Sequence, residues 1–144
     1  MTYLDAYCLV ALVANEAAAQ EVDDLLRSGG CRVVAVNLAE AIDVAARAHS
    51  YPLAEVRKAL EPLVLGGHLE VAASGESESW LAAEIRVFEY HRSKRPVSMA
   101  DCMLLAHALS TRDAIATSDA HVADVARSRG LAVVALPDTA GNRP

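Results

Sequence analysis

The chain has 144 residues, of which 53% are hydrophobic and 4% aromatic, and its net charge is −6. That apolar content excludes a disordered polypeptide, and no run approaches the roughly 18 apolar residues of a membrane span. The length suits one domain whose core is built from Ala, Val, Leu and Ile.

Thr2–Leu4 reads as a first strand and Tyr7–Ala14 as a helix. A second helix over Ala17–Arg27 stops at Gly29-Gly30, residues that favour a helix end. Arg32–Val36 is valine-rich and predicts a strand, after which Asn37 is a suitable N-cap for a helix reaching about His49. Tyr51-Pro52 breaks that helix, and Leu53–Val64 forms the next, ending before Gly66-Gly67. Leu69–Val71 is a short strand candidate and Glu76–His91 a long helix. The basic stretch Arg92, Lys94 and Arg95 follows, closed by Pro96. Ser98 opens a helix to about Leu109, Ala114–Ala116 is a strand, Ala120–Ser128 a helix and Leu131–Val134 a last strand.

Short strands separated by helices predict a three-layer α/β/α sandwich with a mostly parallel central sheet. No repeat or linker divides it, so residues 1–136 are expected to form one domain and residues 137–144 a loose tail. The N-terminus lacks a signal-peptide pattern, and the expectation is a cytoplasmic protein. Three cysteines show no CxxC spacing; Cys8 and Cys102, within apolar runs, read as small buried hydrophobes, and five scattered histidines argue against zinc.

Four carboxylates interrupt or end apolar runs: Asp5, Glu40, Asp101 and Asp119. No Lys or Arg lies inside those runs, and an unpaired buried carboxylate costs several kcal/mol. Each has an ordinary local role open to it. Asp5 can end a strand, Glu40 can occupy a first helical turn, Asp101 can complete a capping box with Ser98, and Asp119 can cap a helix. Asp43, by contrast, is expected to pair with Arg47 on a solvated face. Asp5 and Asp119 fall just past strands, where parallel sheets bind ligands.

A set of oxygen donors without counter-charge suits Mg²⁺ or Mn²⁺. An ion of this kind acidifies water and stabilises charge at phosphorus, which matches phosphodiester hydrolysis. Arg92, Lys94 and Arg95, shortly before Asp101, are candidate contacts for flanking phosphates. A solvated helix end, whose cations suit the C-terminal dipole, is the simpler reading of the same stretch.

Leu4-Asp5-Ala6-Tyr7, Asn37-Leu38-Ala39-Glu40, Ser98-Met99-Ala100-Asp101 and Thr117-Ser118-Asp119 together resemble the PIN-domain nucleases, in particular VapC-type toxins of toxin–antitoxin pairs. The resemblance implies an Mg²⁺- or Mn²⁺-dependent endoribonuclease with Asp5, Glu40, Asp101 and Asp119 as catalytic metal ligands. It also implies inhibition by a VapB-like antitoxin, homodimerisation and an RNA substrate. This chain departs from the pattern at Ala6-Tyr7, where the family often has Ser or Thr after the first acid. Thr117 matches a hydroxyl frequent before the fourth acid.

Two other readings remain open on sequence. A non-catalytic PIN-like interaction module would show no Mn²⁺ binding. A phosphatase or phosphotransferase with a strand-end Asp nucleophile generally needs a second Asp two residues on, where this chain has Tyr7.

Overall fold

Five strands form one sheet in the order β3-β2-β1-β4-β5, and every neighbouring pair is parallel. The computed structural model describes all residues, Met1–Pro144. The strands are β1 (Thr2–Leu4), β2 (Cys31–Val34), β3 (Leu69–Ala72), β4 (Ala114–Thr117) and β5 (Val133–Ala135). The helices are α1 (Ala6–Ala14), α2 (Ala19–Ser28), α3 (Ala35–Asp43), α4 (Leu53–Leu65), α5 (Glu76–Glu89), α6 (Met99–Thr111) and α7 (Ala120–Ser128). A π-helical segment, Val44–Ala48, extends α3 without a break.

Side chains alternate across the sheet with a period of two. Leu4, Val33 and Ala116 point to one face and pack with α1, α2, α3 and α4. Tyr3, Val34 and Ile115 point to the other and pack with α5, α6 and α7. Burying strands on both faces explains their near-continuous apolar sequences. Each fully buried Leu, such as Leu9 or Leu104, contributes about 1.5–3 kcal/mol relative to exposure. The α/β/α sandwich expected from sequence is therefore the observed architecture.

Three local expectations are corrected. The strand predicted over Arg32–Val36 ends at Val34, where its pairing with β3 at Val34–Ala72 ends, and the helix begins at Ala35. Asn37 is thus no N-cap: it lies inside α3, fully buried, with both amide atoms lacking a hydrogen-bond partner. Glu40 consequently stands in the second turn of α3 rather than the first. Arg95 is ion-paired with Glu89 and closes a backbone bridge with His91. Asp43 pairs with Arg47 at 2.7 Å, as its spacing predicts.

After β5 the chain carries no further helix or strand, but it is tied down. Asp138 accepts from the backbone N–H groups of Ala140 and Asn142, and Arg143 makes a two-pronged pair with Glu21.

Candidate active site

Asp5, Glu40, Asp101 and Asp119 all line one open cleft of about 510 Å³ beyond the carboxyl ends of β1 and β4. Parallel strands order this position, because β1 and β4 are neighbours and their following residues emerge side by side. Asp5 follows β1 directly and caps α1, accepting from the Ala6 N–H at 2.6 Å. Asp119 follows β4 and caps α7, accepting from His121 and Val122 N–H. Asp101 is at the third position of α6 in a reciprocal box: it accepts from Ser98 N–H, and Ser98 Oγ accepts from Asp101 N–H. The local cap roles foreseen for these three acids coexist with their convergence on the cleft.

Thr117 links the first and fourth acids. Its hydroxyl donates to Asp5 Oδ2 at 2.6 Å and accepts from Asp119 N–H at 3.0 Å. Asp5 is only 6% exposed. Burial pushes its carboxyl up to about 7; the Thr117 bond partly offsets this, while Asp101 and Asp119 add like-charge repulsion. Burial also raises Glu40, which Asp101 and Asp43 raise further, with no donor lowering it. Asp101 is raised mainly by burial, against its bonds to Ser98, with Asp119 adding to the rise and Arg86 opposing it. The acids therefore sense one another, and the cleft lining contains no Lys or Arg.

The donor chemistry fits a hard divalent cation: carboxylate oxygens with the hydroxyls of Ser98 and Ser118 beside them. The side chains do not close into a three-ligand cage, and Asp5, Asp101 and Asp119 each accept from an N–H at a helix N-terminus. Arg92, Lys94 and Arg95 are not among the lining residues. Arg92 and Lys94 are exposed, and Arg95 is engaged by Glu89. Tyr7, Glu16, His49 and Thr139 line the same cleft and were not picked out as site residues in the sequence. Their only local signals are the helix end at Asn15-Glu16 and the break after His49.

A doubly covered parallel sheet with an acidic cleft at its strand ends, lined by no Lys or Arg, defines an α/β/α domain with a candidate site at the carboxyl edge of the sheet. The chain belongs to the PIN domain family, whose model matches residues 2–128. No curated protein matches it in sequence. Among solved structures, the Mycobacterium tuberculosis VapC20 sarcin–ricin loop cleaving toxin is similar, with a TM-score of 0.70 and 16% identity over 87% of this chain and 95% of that one. DNA-bound VapBC from Salmonella typhimurium gives a TM-score of 0.69 and 22% identity over 92% and 96%. VapBC2 from Rickettsia felis, bound to a promoter DNA fragment, gives 0.65 and 14% over 93% and 98%. At these identities the likeness is one of fold.

Proposed function

We propose that this chain is a metal-dependent endoribonuclease acting as the cytoplasmic toxin of a toxin–antitoxin pair. The observation that carries the reading is the convergence of Asp5, Glu40, Asp101 and Asp119 on one cleft with no Lys or Arg among its lining residues. Asp5, Glu40 and Asp101 would be the principal holders of Mg²⁺ or Mn²⁺, with Asp119 completing the set. When bound, that ion acidifies a water molecule and offsets the charge that builds on phosphorus.

The protein's own contribution is placement. Thr117 fixes the orientation of Asp5, and the Ser98 box fixes Asp101 on the first turn of α6. Exposed Arg92 and Lys94 are proposed to attract the RNA backbone from outside the cleft. A VapB-like antitoxin and a second copy of the chain are the proposed protein partners, in keeping with the VapBC complexes whose fold it shares.

Incubation of the purified protein with total RNA, with Mg²⁺ or Mn²⁺ and with EDTA, tests the chemistry. Cleavage that is lost with EDTA and in Asp101→Asn supports the reading. Equal activity in a folded Asp101→Asn protein sinks it. An absence of both cleavage and Mn²⁺ binding would favour the interaction-module alternative.

A further inference from the structure

Glu16 and His49 face each other across the cleft wall, and nothing in the proposed chemistry uses them. Each is delivered by unusual backbone. Glu16 follows Asn15, which ends α1 in the left-handed region at φ 53°, and Glu16 N–H is anchored on the Ala11 carbonyl. His49 ends the π-helical segment, its N–H bonded to the Val44 carbonyl, and Ser50 after it is also left-handed at φ 61°. π-Helical turns and strained non-glycine residues concentrate where a side chain must be aimed.

His49 Nε2 lies 3.8 Å from Glu16 Oε1, with the imidazole 33% exposed and the carboxylate 15% exposed. Behind them Glu16 Oε2 and the Tyr7 hydroxyl are buried without a hydrogen-bond partner of good geometry. Burial and the adjacent Glu16 push the Tyr7 phenol up to about 12. The ring of His49 is the one basic side chain that the structure places within ion-pair distance of Glu16. His49 is also the only basic side chain lining a cleft that holds five carboxylates. A polyanionic substrate entering such a cleft requires positive charge beyond the metal site.

We infer that His49 is a substrate-binding residue that donates to a phosphate oxygen flanking the scissile bond, with buried Glu16, backed by Tyr7, as its positioning residue. This rests on the reading of the cleft as an RNA-cleaving site. It accounts for the paired backbone distortions and for an acid–imidazole pair set in the same cleft as the four acids.

The test measures binding of a short fluorescein-labelled single-stranded RNA of mixed sequence to the Asp101→Asn protein in mildly acidic buffer. His49→Gln is expected to weaken binding about tenfold, the loss of one charge-assisted contact. It should also flatten the log affinity–log salt slope by about 0.7. His49→Lys should restore both quantities, which a merely structural role would not do. In the protein with Asp101 intact, His49→Gln should raise KM and leave kcat within about twofold. Glu16→Gln should weaken binding by a smaller factor with the circular dichroism spectrum retained. Unchanged affinity and salt slope in His49→Gln, when the parent binds RNA, overturn this subsite alone. A parent that neither binds nor, with Asp101 restored, cleaves RNA overturns the nuclease reading and the subsite with it.

Discussion

Thr117 Oγ1 donates to Asp5 Oδ2 at 2.6 Å, joining residues 112 positions apart at the floor of the acidic cleft. The same hydroxyl accepts from Asp119 N–H. Thr117→Val should leave Asp5 Oδ2 buried without its donor, at a cost of about 1–3 kcal/mol. Because the Thr117 bond lowers the Asp5 carboxyl, its loss should move the acidic limb of the pH–rate profile upward. Thr117→Ser should retain wild-type behaviour. Denaturant midpoints and pH–rate profiles of the two variants check this.

Asp101→Asn removes one of the charges that raise Asp5 and Glu40. Its amide oxygen can still accept from Ser98 N–H, so the cap of α6 is preserved. The expected outcome is loss of cleavage by at least about a hundredfold, with stability equal to or above that of the parent by about 1 kcal/mol. Calorimetric titration with Mn²⁺ should show weakened binding. Paired melting curves would separate that effect from misfolding.

The stability of the metal-free protein should fall as pH rises from about 4 to about 8. Asp5 sits at about 7 when folded against an ordinary 3.8. Between those values the native state holds a proton that the unfolded chain has released. The proton-linked stabilisation is therefore complete below the lower value and lost as pH passes the upper one, on the order of a few kcal/mol. Asp5→Asn should flatten this dependence, and added Mn²⁺ should reverse part of it for the parent. Urea unfolding at several pH values provides the measurement.

Asn37 offers a test away from catalysis. Its side chain is fully buried with both amide atoms unpaired. Asn37→Leu, which keeps the number and branching of the side-chain heavy atoms, should be neutral or stabilising by about 1–3 kcal/mol where the larger methyl groups are accommodated, because it removes an uncompensated desolvation cost. A large drop in melting temperature would mean that the amide has a hydrogen-bonding role.

The legibility of the site varied with how local each residue's constraints are. Ser98 and Asp101 announce their capping box within four positions, and Asp119 announces its cap directly before α7. Asn37 misled because its capping preference is real but the helix start was decided by where β2 parts from β3. Glu40 still reaches the cleft from one turn deeper because α3 lies against α6, which brings its charge close enough to act with that of Asp101. Arg95, a candidate phosphate contact in sequence, is ion-paired with Glu89 six residues earlier, while Arg92 and Lys94 are the exposed cations of that stretch.

By itself the sequence determined the alternating elements, the two-sided burial of the strands and the four acids in their order. These follow from periodicity and from the cost of placing charge in apolar runs, both of which act over a few residues. Only the tertiary structure decided that Thr117 binds Asp5, that Glu16 meets His49, and that no Lys or Arg lines the cleft. Those relationships depend on parallel register and helix packing between segments tens of residues apart. Short-range pattern carries no record of which distant side chains will share a space.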